Sequence, residues 1–110
     1  MAVRLVAAPE VEQDVTDAYV WYEERRAGLG EDFLSCLDAC FESIRRSPLM
    51  YPVVFRSFHR ALVRRFPFAV FYEYEPDVAT VFGVLHTSRH PVRWTRRLSE
   101  DVDARPGAGT

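Results

Sequence analysis

The chain has 110 residues, 48% hydrophobic and 27% charged, with two Cys and a formal net charge of −2. That length and balance fit one domain, expected over residues 1–98, and exclude a disordered, collagen-like or disulfide-scaffolded chain. No apolar run approaches the roughly 20 residues of a membrane helix, and the apolar stretch near Met1 is too short for a secretory signal, so a cytoplasmic protein with no membrane partner is expected.

Residues 3–8, VRLVAA, are predicted to form a short strand. Pro9 then stands in a first-turn position, followed by Glu10, Glu12 and Asp14, which favour a helix N-terminus. Val11, Val15, Ala18, Tyr19 and Tyr22 repeat at helical spacing to about Arg26, and Gly28 ends that helix. A second helix is predicted from about Glu31 to Arg46, with Phe33, Leu34, Leu37, Cys40, Phe41 and Ile44 on one face and Ser47-Pro48 as its break. The short Gly-containing link makes the two an antiparallel hairpin. Past Pro52 the spacing changes to alternation, giving strands at about 60–65, 67–75 and 78–86, the last two joined through Pro76-Asp77. Val92 to Leu98 are predicted to form a short terminal helix, and residues 99–110 a flexible tail. The predicted class is α+β: a helical hairpin packed on a small antiparallel sheet in the order β-α-α-β-β-β, with a short C-terminal helix.

Phe66, Phe68, Val70, Tyr72 and Tyr74 share one face of the middle strand, while Ala69 and Phe71 make the other face apolar too. In the next strand, strict alternation places Val78, Phe82 and Val84 on one face and Val81 and Leu85 on the other. Strands apolar on both faces are buried on both. Two helices cover only one face of a small sheet, so the second requires the terminal helix, a dimer mate or a partner chain. A partner is the favoured cover.

Net charge hides a strong asymmetry. Residues 1–44 hold three Arg against ten acids, whereas residues 45–97 hold ten Arg against Glu73, Glu75 and Asp77. Every one of the 14 basic residues is Arg, the side chain that forks onto phosphate and carboxylate. A basic half points to nucleic acid or an acidic protein partner; a merely solvated face is the plainer reading. Arg60, Arg64, Arg93 and Trp94 are the residues expected to touch a target or partner, with Trp94 alternatively capping the open sheet face. His86, at a strand end, could exchange protons while Arg65 and Arg89 stabilise charge on a phosphate in flight. Against that stand a His86 simply bonded to a backbone carbonyl, and Arg side chains paired with Glu73, Glu75 or the acidic helices. Cys36 and Cys40 lie one helical turn apart and read as inert thiols, consistent with a reducing compartment. His86 and His90 lack metal-ligand spacing, and there is no GxGxxG or Walker loop, so neither metal nor cofactor is expected.

Three segments in order, WYEERRAGLGEDF, RRFPFAVFYEYE and VLHTSRHPVRWTRR, resemble the RelE/ParE superfamily of type II toxin–antitoxin toxins, over about residues 3–97. The resemblance implies a small toxin neutralised by a cognate antitoxin, as a dimer or as a heterotetramer with it. RelE-like members are mRNA endonucleases acting on the ribosome, and their middle strand reads Tyr-Arg-Val-x-Tyr, with the Arg stabilising the transition state. Here Ala69 stands in that position, and no Lys or acid occurs between residues 47 and 72. These departures resemble the ParE-like branch, whose described target is DNA gyrase and which is not a nuclease. A RelE-like nuclease using His86, Arg65 and Arg89, and a decayed, non-toxic binding module, remain the alternatives.

Overall fold

Pro9 starts the first helix, α1 (Pro9–Arg25), directly after a short strand, β1 (Arg4–Ala7), in a computed structural model that describes residues 3–88 and 91–104. Proline fixes φ near its helical value and lacks the N–H that a first turn leaves unpaired. Arg26 then leaves the helix in extended backbone, and Gly28 takes φ 89°, a conformation that favours glycine. The second helix, α2 (Leu29–Arg46), begins two residues before the expected Glu31. Glu23 explains that start: its carboxylate accepts the Gly28 and Gly30 N–H groups, each at 2.9 Å, and so satisfies donors that a helix N-terminus leaves orphaned. At Gly30 the two helices approach so closely that an added Cβ would lie 2.8 Å from the Tyr19 ring and 2.9 Å from its carbonyl oxygen. Gly30→Ala should therefore destabilise the protein by about 1–3 kcal/mol, the ordinary cost of overpacking, in chemical denaturation. An unchanged midpoint would mean that the hairpin opens freely at this point.

The sheet contains β1 and four further strands, β2 (Val53–Phe55), β3 (Phe58–Leu62), β4 (Phe68–Glu75) and β5 (Val78–His86), in the spatial order β1-β5-β4-β3-β2. β1 runs parallel to β5 and all other neighbours are antiparallel, so the fold is α+β, as expected. Three strands were expected after the hairpin and four are present. β2 is three residues long, at the sheet edge, and its Val53 is exposed, so it carries almost no hydrophobic alternation. β3 also ends at Leu62 rather than residue 65: the Val63 N–H donates to the Phe68 carbonyl at 2.9 Å, and Arg65 takes φ 71° in the turn.

One face of the sheet packs on the helical hairpin. Phe33, Leu37 and Ile44 of α2 and Val11, Ala18 and Tyr22 of α1 meet Ala61, Val70, Tyr72, Ala79, Val81 and Val84. The second face carries Phe58, Ala69, Phe71, Phe82 and Leu85, buried with Leu98 of the terminal helix, α3 (Pro91–Ala104). The favoured partner chain is therefore not what covers this face; α3 covers it, with Leu98 fully buried and Trp94 packed against the cluster. α3 also runs six residues beyond the expected Leu98, through the first half of the segment read as a tail. Residues 99–104 contain neither Gly nor Pro, and the first residue able to stop the helix is Pro106. Residues 105–110 lie outside the described residues.

Strict alternation misplaced two side chains of β5. Phe71 pairs with Gly83 but Tyr72 pairs with Val81, so Phe82 is an extra residue with no partner on β4. Such a bulge reverses the alternation. Val84 consequently joins Val81 on the hairpin side, and Phe82 joins Leu85 beneath α3.

Candidate functional site

The charge asymmetry of the sequence becomes an asymmetry between layers. α1 carries six carboxylates and one Arg, Arg25, whereas Arg56, Arg64, Arg65, Arg93 and Arg96 are exposed on the sheet loops and α3. Arg60 is half-buried on β3, directly across from Phe71. Trp94 stacks on that same Phe71 at 5.0 Å between ring centroids and meets Phe55 edge-on at 6.1 Å. Arg60 and Trp94 thus flank one phenyl ring, with Arg93 exposed next to Trp94 on α3. Arg56 adds a guanidinium 5.2 Å from the Phe55 ring. The first half of α3 thus borders an Arg-rich surface with an aromatic floor, and Leu62, 59% exposed, continues it along β3. Trp94 itself serves as a core residue, the plainer of its two expected roles.

Of the three residues expected for phosphodiester chemistry, the structure describes Arg65 and His86. Arg65 and His86 lie at the same end of the sheet, since Phe68 pairs with His86 and the Thr87 N–H donates to the Pro67 carbonyl at 2.7 Å. The Arg65 guanidinium, however, turns to Asp32 at 3.9 Å and lies 5.6 Å from the Phe66 ring. Arg89 lies outside the described residues. His86 Nδ1 accepts the Ser88 backbone N–H at 3.1 Å, with the Ser88 hydroxyl at 2.7 Å. An amide N–H can only donate, so Nδ1 is unprotonated and a neutral ring carries its proton on Nε2. In that tautomer the ring's open nitrogen is a donor, and its basic nitrogen is the one engaged by Ser88. Among the described residues the hydrogen-bond partner of this ring is Ser88, not a backbone carbonyl.

His59, beside Arg60 on β3, is structural. Its ring stacks on Tyr72 at 5.0 Å and Nδ1–H donates to the Tyr51 carbonyl at 2.8 Å. Tyr72 donates to the Pro48 carbonyl and Tyr51 to Ser43 Oγ, so three buried polar contacts pin the 47–52 connection. Burial also pushes the Tyr72 phenol upward, and the Cys40 thiol up to about 11. Cys40 is accordingly a protonated, unreactive thiol near neutrality, as expected. Both groups keep their proton in the folded state to higher pH than in the unfolded chain. Their contribution to stability is thus full below about pH 9, the Cys40 thiol's ordinary range, and falls as pH rises through 11. Urea midpoints should decline between pH 8.5 and 11, less steeply in Cys40→Ala; a flat profile would mean these groups are not desolvated.

Sequence reasoning missed the feature that organises the other side of the molecule. Asp14 of α1 accepts two hydrogen bonds from Arg97 of α3, at 3.0 and 2.9 Å, and a third from the Val84 N–H at 3.1 Å. Arg97 also donates to the Phe82 carbonyl at 3.3 Å. β1 ends at Ala7, opposite Val81, so the edge of β5 beyond the bulge has no strand beside it, and the ion pair takes that strand's place. No local signal marks a contact across 83 positions of chain. Beside the pair opens a cleft of about 440 Å³ between α1, the end of β5 and α3, with Asp17, Trp21, Tyr22, Phe68 and His86 on its walls. Trp21-Tyr22 divides its labour: Tyr22 is buried in the core and Trp21 stays half-exposed at the cleft.

Among the described residues no group of three His, Cys, Asp or Glu side chains could hold a metal ion, and no helix is long and apolar enough to cross a membrane. No family model matches the sequence, and no curated protein matches it. In three dimensions the chain is similar to one in the chromosomal ParDE TA system from P. aeruginosa, with a TM-score of 0.70 over 79% of this chain and 98% of that one, at 9% sequence identity. A likeness at that identity is one of fold.

Proposed function

We propose that this protein is the toxin of a type II toxin–antitoxin pair, of the ParE kind, which arrests growth by binding an essential target and is neutralised by a cognate antitoxin. The observation that carries the reading is the fold likeness, which takes in 98% of a chain from a ParDE system and therefore the whole of that domain rather than one motif. The three sequence segments that resemble the superfamily support it independently.

Two features favour the binding branch over the nuclease branch. Ala69, which stands where the resemblance places the nuclease Arg, is 1% exposed among apolar side chains beneath α3. A guanidinium there would be buried without its usual solvation. His86 Nδ1 is engaged by Ser88, and Arg65 is turned toward Asp32. The exposed chemistry is instead Arg-rich: Arg93 and the rim of Trp94 on α3, Arg60 half-buried across from Phe71, and Arg64 exposed on the β3–β4 loop, all available to a partner. DNA gyrase is the target implied by the resemblance; the antitoxin would present acidic residues to the same surface.

Expression of the chain alone in bacteria should arrest growth, and co-expression of the adjacent gene should restore it. Purified protein should inhibit gyrase supercoiling without cleaving ribosome-bound mRNA. Normal growth in cells holding folded, soluble protein would overturn the reading, and codon-specific mRNA cleavage would move it to the nuclease branch. Arg60→Glu with Arg64→Glu should weaken the antitoxin complex most at low salt, where screening is least. Equal affinities at all salt concentrations would remove the electrostatic part of the proposal.

A further inference from the structure

We infer that the cleft between α1, the end of β5 and α3 is a docking slot for an arginine side chain carried by a partner protein. The inference is independent of the toxin reading. It rests on a cavity, an exposed aromatic side chain and a carboxylate with no ion pair among the described residues, all of which coincide. The volume of about 440 Å³ lies within the range of ordinary binding clefts. Tyr22 and Phe68 give it an apolar floor, and Trp21 stands at its wall with 51% of its surface exposed.

The charge at the cleft is negative. α1 carries six carboxylates against Arg25 alone. Asp14 is satisfied by Arg97 and the Val84 N–H. Asp17, one helical turn from Trp21, has the neutral Gln13 amide as its partner at 2.6 Å and belongs to none of the ion pairs among the described residues. A carboxylate beside an aromatic face selects a flat cation.

The protein already binds guanidinium groups around this cleft by both devices. The Arg25 guanidinium carbon lies 3.4 Å from the Trp21 ring centroid, and Arg97 forks onto Asp14. An incoming arginine would stack on the Trp21 ring face that Arg25 does not cover and pair with Asp17, while the His86 ring could hydrogen-bond to the backbone of its segment. Phosphate-bearing ligands are disfavoured, because they would enter beside the acidic α1. The partner here is basic, the converse of the acidic one expected at the Arg-rich surface bordering α3.

The test uses the full chain labelled with ¹⁵N, following the indole N–H resonances assigned with Trp21→Phe. The probes are the capped tripeptide Gly-Arg-Gly and its citrulline analogue, which keeps the shape of arginine but lacks the charge. The arginine peptide should shift the Trp21 resonance saturably and bind about tenfold tighter than the citrulline peptide, a typical value for cation–aromatic and carboxylate contacts together. Asp17→Asn, on an exposed helix face, should reduce the arginine peptide to the citrulline level without changing the fold. The inference is overturned if the Trp21 resonance is unmoved, if both peptides bind equally, as in a purely apolar pocket, or if guanosine monophosphate binds more tightly than the arginine peptide. Growth arrest enters none of these readouts, so this slot and the toxin reading stand or fall separately.

Discussion

Asp14→Ala should lower the stability of the protein by about 3 kcal/mol, toward the lower end of what breaking a buried ion pair costs. The side chains of Asp14 and Arg97 retain 12% and 22% of their exposure, so solvent screens the pair only in part. Removing Asp14 takes from the Arg97 guanidinium the carboxylate it forks onto and also orphans the Val84 N–H on an edge of β5 that no strand covers. For a domain whose total stability is about 5–15 kcal/mol, that is a large fraction. The loss should not stay local, because the pair joins α1, β5 and α3. Trp94 should leave its stack on Phe71 more readily, and its emission should shift to the red at denaturant concentrations where the wild type is still folded. Removing both partners should cost less than removing Asp14 alone, since the guanidinium is then removed together with its carboxylate. A change below about 0.5 kcal/mol, the ordinary range of surface substitutions, would mean that the pair is a surface contact and not a lock.

His86→Ala should leave growth arrest close to the wild-type level, whereas Arg64→Glu combined with Arg93→Glu should abolish it. A side chain acting as general acid or base typically contributes 10²–10⁴-fold to rate, so a nuclease that depended on His86 would lose nearly all activity. Here Nδ1 is occupied by the Ser88 N–H, and among the described residues no second acid–base group is hydrogen-bonded to the ring. The two Arg side chains are exposed, on the β3–β4 loop and on α3, so reversing their charge should alter the surface while leaving the core intact. Circular dichroism of both variants would verify the fold. Loss of toxicity in folded His86→Ala, together with wild-type toxicity in the Arg double variant, would reverse the proposed assignment.

The helical hairpin, the faces of β4 and the α+β class follow from the order of residues alone, because each depends on neighbours within a few positions. Pro9, the spacing of Val11, Ala18 and Tyr22, and the alternation of Phe68, Val70, Tyr72 and Tyr74 are local signals of burial. The extreme segregation of charge between residues 1–44 and 45–97 was equally legible, and it survives as an acidic α1 layer and an Arg-rich surface bordering the first half of α3. Tertiary structure decided the rest. A single extra residue at Phe82 reversed the faces of β5, and alternation carries no mark of a bulge. The cover of the second sheet face depended on whether a helix from the chain's own end could reach Phe71, and Trp94 shows that it does. Asp14 read as a helix-start acid, and Arg97 was one of the ten Arg of residues 45–97 with no role of its own. They became a pair only when the ending of β1 left the edge of β5 without a neighbour, because hydrogen-bonding groups there must be satisfied by whatever the fold brings within 3 Å or so.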